Sequence, residues 1–85
     1  MKRKFRIVAT KTVIVELDDA VFKTVDDEWR DTFYNLHDDE DIAAHITFNL
    51  LQDRTLDRLD GWADQPKENA CIVEVEDEDF DVVEL

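Results

Sequence analysis

Phe5-Arg6-Ile7-Val8-Ala9-Thr10-Lys11-Thr12-Val13-Ile14-Val15-Glu16-Leu17 is the stretch that decides the fold. Phe5, Ile7, Ala9, Val13, Val15 and Leu17 recur at period two, with Lys11 the exception, so they share one face of an extended chain. Val8 and Ile14 make the opposite face partly apolar. The β-branched residues Ile7, Val8, Thr10, Thr12, Val13, Ile14 and Val15 favour strand over helix. A break near Thr10–Thr12 would make two strands, but no Asn-Gly or Asp-Gly turn is present, so residues 3–17 read as one long strand that can carry a bulge. A strand of this length needs a partner. A second alternating run lies toward the far end of the chain, where Cys71, Val73 and Val75 fall on one side of residues 70–76 and Ile72, Glu74 and Glu76 on the other.

Between these ends the period changes to that of a helix. Phe22, Val25, Trp29, Phe33 and Leu36 lie three or four residues apart and define one helix face within residues 18–36. Asp18 and Thr24 are candidate N-caps. Asp26, Asp27 and Glu28 suit the first turn of a helix capped by Thr24, and His37 falls near its C-terminus, where positive charge is favoured. A second helix spans residues 38–53, capped by Asp38 or Asp39, with Asp41 placed as in a capping box. Ile42, Ala43, Ile46 and Leu50 form its buried face. Ala44, Phe48 and Leu51 widen that face, which predicts the most enclosed helix of the protein. Thr55 begins a short helix carrying Leu56, Leu59 and Trp62, and Gly61, the only glycine, is placed to end it. Asp64–Asn69 reads as a loop. Asp77–Leu85, where acids alternate with Phe80, Val82, Val83 and Leu85, reads as a third strand or as a docking tail. The expected fold is a small α+β single domain over residues 1–85, in the order β-α-α-(α)-β(β). Its terminal strands pair in an antiparallel sheet with helices on one face.

Composition bounds the function. The 85 residues include 10 basic and 23 acidic side chains, a net charge of −13. Lys2, Arg3, Lys4, Arg6 and Lys11 stand in residues 1–11 without an acid, whereas residues 12–85 hold five basic and 23 acidic residues, a net of −18. Direct binding of nucleic acid or of an anionic membrane is disfavoured, because both need clustered Lys and Arg. A basic protein partner is favoured in affinity and in association rate. A homodimer is compatible with the sequence. Met1-Lys2-Arg3-Lys4 is basic but no apolar signal core follows, so the expected compartment is the cytoplasm. One cysteine excludes an internal disulfide framework and a multi-Cys zinc site.

Catalytic patterns are sparse. The chain has no serine, hence no Ser nucleophile, and a single glycine cannot build a phosphate loop. Cys71 reads as a buried small hydrophobe with nothing nearby to activate its thiol. His37, Asp41 and His45 are spaced by four, as metal ligands can be, but His37 precedes the helix cap and Asp41 is drawn into the capping box. Asp77-Glu78-Asp79 resembles calcium-ligand runs without the glycine and glutamate that an EF-hand loop requires. Trp29 and Phe33 read as core, while Trp62 and Phe80 are candidates for exposed interface anchors. The expectation is a protein without enzymatic activity and without a cofactor.

The remaining question is what the carboxylates are for. A solvated acidic surface, tuned for solubility or high salt, is one reading. An acidic adaptor docking through residues 76–85 is a second. A third is imitation of nucleic-acid phosphates. Strand positions i and i+2 lie about 6.6–6.8 Å apart on one face, which Glu74, Glu76 and Glu78 would match. Helix positions four apart are about 6 Å apart, which Asp27 and Asp31 would match. Asp26 lies beside them, and Asp38, Asp39, Glu40 and Asp41 add a dense group at a helix start. Such an array would block a channel lined with Arg and Lys. In size and charge the whole chain resembles the small acidic DNA-mimic inhibitors of phages and mobile elements, among them uracil-DNA glycosylase inhibitors, anti-restriction proteins and some anti-CRISPR proteins. No motif carries this resemblance. It implies a competitive, non-catalytic inhibitor of a nuclease or defence effector, acting through Asp26, Asp27, Asp31, Asp38, Asp39, Asp41, Glu74, Glu76 and Glu78.

Overall fold

A computed structural model describes all residues, Met1–Leu85. The alternating N-terminal run forms a single strand, β1 (Phe5–Leu17), paired antiparallel with one C-terminal strand, β2 (Ala70–Glu84). Residues 77–84 are therefore neither a third strand nor a free tail. They continue β2, and Asp77 to Glu84 face Thr12 back to Phe5 in register. Both chain termini lie at the free end of this two-stranded ribbon, where the Leu85 N–H donates to the Lys4 carbonyl at 2.9 Å. The register shifts between Thr12 and Val13 and again between Ile14 and Val15, leaving Glu76 and Val73 without direct partners. These are β-bulges.

Three helices connect the strands: α1 (Asp19–Lys23), α2 (Asp27–Thr32) and α3 (Asp39–Leu51). Asp18 caps α1, its carboxylate accepting from the Ala20 N–H at 2.9 Å. Thr24 does not cap a helix N-terminus. It ends α1, with its hydroxyl turned back onto the Ala20 carbonyl. Asp26 caps α2 instead, accepting from the Trp29 N–H at 2.8 Å. The helical stretch is thus two short helices, each begun by an Asp side chain that accepts from a backbone donor of its own first turn. Phe33 falls at the end of α2, 43% exposed, outside the core stripe assigned to it. His37 lies in the connection to α3 rather than at a helix end, with Nε2 hydrogen-bonded to Asn35 Oδ1 at 2.7 Å. Arg30 braces this connection. Its Nε donates to the Leu36 carbonyl at 2.7 Å and its Nη1 meets Asp27 at 3.1 Å.

Asp38 stands at the N-cap of α3 but makes no side-chain cap bond, so the capping box with Asp41 does not form. The helix ends at Leu51, two residues short of the expected span 38–53, in a Schellman motif. Asp53 takes φ 61°, its N–H donates to the Leu50 carbonyl, and the Arg54 N–H donates to the Asn49 carbonyl. Ile42 and Ile46 are buried on the face expected. Ala44, Phe48 and Leu51 point to solvent, Phe48 at 64%, so α3 is half-enclosed. The chain is too short to supply a layer against both sides of it.

The core is one cluster: Val21, Trp29, Ile42, Ile46, Leu56, Leu59, Trp62 and Ala70. Trp62 is at its centre, 1% exposed, and is no surface anchor. Its indole Nε1 donates to the Val21 carbonyl at 3.1 Å, while that of Trp29 donates to the Gly61 carbonyl at 3.1 Å. Leu56 and Leu59 enter the cluster from a 3₁₀ turn at Leu56–Arg58. A second such turn, Lys67–Asn69, lies within the expected loop and leads into β2. Gln65 ties that loop to α1 by donating to the Ala20 carbonyl at 3.0 Å. The expected α+β architecture, with paired terminal strands and helices between them, is what the chain adopts.

Candidate acidic interface

Cross-strand partners in an antiparallel pair project to the same side, so the register sorts the ribbon into two faces. One carries Phe5, Ile7, Ala9, Lys11, Val13, Val15 and Leu17 of β1, opposite Glu84, Val82, Phe80, Glu78, Val75, Ile72 and Ala70. The helices cover only its base, where Ala70 is buried and Leu17, Val15, Val13 and Ile72 are half-buried. The other face carries Arg6, Val8, Thr10, Thr12, Ile14 and Glu16 opposite Val83, Asp81, Asp79, Asp77, Glu74 and Cys71, and every one of these is exposed.

This partition changes the acidic site. Uninterrupted alternation would align Glu74, Glu76 and Glu78. The bulges break that pattern. Glu76 is the unpaired bulge residue, and Glu78 lies on the apolar face, held by Lys11 Nζ at 3.1 Å. The acids brought together are Asp77, Asp79 and Asp81, with Glu74 below them on the same side. None of these four is in an ion pair, and only Glu78, Glu84 and Asp27 among the 23 acids are. Asp77, Asp79 and Asp81 alternate without interruption, about 6.6–6.8 Å apart. No local signal locates them, because the bulges at Glu76 and Val73 arise from the pairing of the two strands.

The helical acids form a separate group. Asp26, Asp27 and Asp31 lie on or just before α2, Asp38 at the head of α3, and Asp39 and Asp41 in its first turn; all are exposed. Asp26 is engaged as a cap and Asp27 in an ion pair, which leaves Asp31, Asp38, Asp39 and Asp41 unengaged by side-chain partners. They belong to the helical base of a molecule 51 Å long, whereas Asp77–Asp81 lie toward the other end of the ribbon.

Two other candidates change position. Cys71 is exposed on the acidic face, its Sγ contacting the Glu68 carbonyl at 3.3 Å, because the strand turns that side away from the helices. His37, Asp41 and His45 do not share a helix, and no group of three His, Cys, Asp or Glu side chains is arranged to hold a metal ion. His45 packs instead on Tyr34, ring centroids 4.3 Å apart, and its burial holds its pKa below the ordinary 6.5. A shallow cleft of about 340 Å³ is lined by Asp53, Thr55, Asp57, Arg58 and Lys67, with no hydrophobic residue in its wall. Substrate pockets are typically lined by apolar groups with a few convergent polar ones. No helix is long and apolar enough to cross a membrane.

Comparison of the chain with protein-family models, with curated proteins and with solved structures gives no match.

Proposed function

We propose that this protein is a non-enzymatic inhibitor that occupies the basic nucleic-acid-binding surface of a nuclease or defence effector, presenting carboxylates where the target binds phosphates. The observation that carries this reading is the row Asp77, Asp79 and Asp81, exposed and without ion partners on one side of a projecting ribbon. A regular row on a strand supplies repeated charge at roughly constant spacing, as a nucleic-acid backbone does. A partner lined with Arg and Lys gains charge-assisted hydrogen bonds from it without any chemistry at the site. The free helical acids Asp31, Asp38, Asp39 and Asp41 add long-range attraction and speed encounter.

The test is affinity capture from a bacterial lysate at low and high salt, with DNA and RNA as competitors and mass spectrometry as readout. One nucleic-acid enzyme, released by salt and displaced by nucleic acid, is the expected result. The Asp77→Asn/Asp79→Asn/Asp81→Asn variant should lose that partner, while Asp31→Asn/Asp39→Asn should retain it with slower association. Retention of the partner by the ribbon variant rules out the ribbon as the contact surface. Capture of nothing specific at either salt leaves the acidity as a solvated surface.

A further inference from the structure

On the side of the ribbon away from its acidic row, Phe5, Ile7, Phe80 and Val82 are 47%, 57%, 64% and 59% exposed. Ile7 faces Val82 in the register and Phe80 faces Ala9, so these side chains form one unbroken strip. Beyond the Lys11–Glu78 pair the same face runs through Val75 and Val13 to the core residue Ala70, where the helices cover it. A two-stranded ribbon is marginally stable by itself in water, and stability normally requires a packed face. Here the distal half of the sheet has none.

We infer that a second copy of this chain covers the strip, the two ribbons packing face to face with their directions reversed. Three observations select this occupant. The first is charge. The strip is bounded by Arg3 bonded to Glu84, at 2.6 Å and 2.9 Å, and by Lys11 bonded to Glu78 at 3.1 Å. Its edges therefore carry two cations and two anions, locally neutral on a molecule of net charge −13. Two acidic chains can meet on this side with the least repulsion, and a strongly basic partner finds no excess negative charge on it. The second is area. Aromatic side chains bury roughly 150–250 Å² each and aliphatic ones somewhat less, so four of them about half exposed offer on the order of 400 Å² per copy. Two copies with their charged rims reach about 1,200 Å², the lower bound of a stable interface. The third is shape. The helices occupy this face at the Leu17 and Ala70 end, so two copies fit only with their helical ends pointing apart. That arrangement separates the acidic helical bases. It turns both Asp77–Asp81 rows outward, on opposite sides of the pair. Ala9 leaves a step beside Phe80 that an aromatic ring of the other copy can fill.

The inference stands independently of the inhibitor reading, and salt separates the two. Capture of a basic partner weakens as salt screens attraction, whereas association of two chains of like charge strengthens. Sedimentation equilibrium of the full chain between low and high salt is the first measurement. A species of twice the 10.0 kDa chain mass, more populated at high salt, is expected. A monomer at every concentration and salt overturns the inference. The Phe80→Thr/Ile7→Thr variant should weaken association by more than about tenfold, as truncation of a central anchor does. A variant that dimerises like the parent overturns the face assignment and favours pairing at a strand edge. Because these substitutions also touch the ribbon, hydrogen exchange of the unmodified chain at low and high concentration provides a second reading. Protection gained at residues 5–11 and 78–84 supports the interface. Gain confined to other segments overturns it.

Discussion

Gly61 and Asp53 adopt left-handed backbone, φ 96° and 61°, and the two positions have opposite needs. A Cβ on Gly61 would lie 2.4–2.6 Å from the Trp29 indole, which already leans on that backbone through its hydrogen bond. Gly61→Ala therefore combines a left-handed strain of about 1–2 kcal/mol with displacement of a core ring costing a similar amount. We expect a loss of about 2–4 kcal/mol in urea unfolding, with a red-shifted tryptophan emission. At Asp53 the left-handed residue closes the Schellman motif of α3 without being glycine. Asp53→Gly should raise stability by up to about 1 kcal/mol, measured as a higher urea midpoint at unchanged m-value. His45 supplies a pH dependence. Burial favours its neutral form, so the folded chain binds fewer protons than the unfolded chain just below pH 6.5. Stability is then complete above pH 6.5 and declines as pH falls toward the lower folded value. Proton NMR of the ring should place its midpoint below 6.5. A midpoint at or above 6.5 contradicts the packing on Tyr34. His45→Gln should flatten the decline at high ionic strength, where acid–acid repulsion is screened.

At the scale of elements, the two aspartates that look alike as helix starts differ in what they do. Asp26 Oδ1 accepts from the Trp29 N–H, and Asp38 makes no such bond. Asp26→Ala should cost about 1 kcal/mol, with a range of roughly 0.5–2. Asp38→Ala should stay within about 0.5 kcal/mol, the usual limit for a surface substitution. Equal losses from the two variants, read by chemical denaturation, would contradict the capping geometry. The strands show what periodicity carries and where it stops. Alternation in Phe5–Leu17 located β1 to within two residues and its pairing with the C-terminal run. It could not fix the two bulges, because a bulge depends on how two chains coil together rather than on either chain's pattern. Each bulge shifts the alternation by one residue. That is why the expected row of Glu74, Glu76 and Glu78 became a row of Asp77, Asp79 and Asp81.

For the whole molecule, charge and shape act together. Three of 23 acids are in ion pairs, so most of the negative charge repels itself in the folded state. Screening lengths fall from about 10 Å at 0.1 M salt to about 3 Å at 1 M. The urea midpoint should therefore rise with sodium chloride over that range. A falling midpoint would mean that the few ion pairs, at Arg3, Lys11 and Arg30, outweigh the repulsion. Surface pairs of this kind contribute little individually, which argues for the rise.

The sequence by itself determined the composition of the molecule in elements: a long N-terminal strand, helices in the middle, a C-terminal strand, and a core that includes Trp29, Ile42, Ile46, Leu56 and Leu59. Period-two and helix-period patterns are local, and they survive whatever the rest of the chain does. The net charge of −13 is likewise a property of the sequence alone. Only the tertiary structure decided which surfaces those elements show. It buried Trp62 and exposed Cys71, Phe33 and Phe48. It extended the last strand to Glu84 and left half of its apolar face open. The reason is supply: eight core side chains in an 85-residue chain cover one end of a ribbon 15 residues long, and apolar patterning beyond that end has nothing of its own chain to pack against.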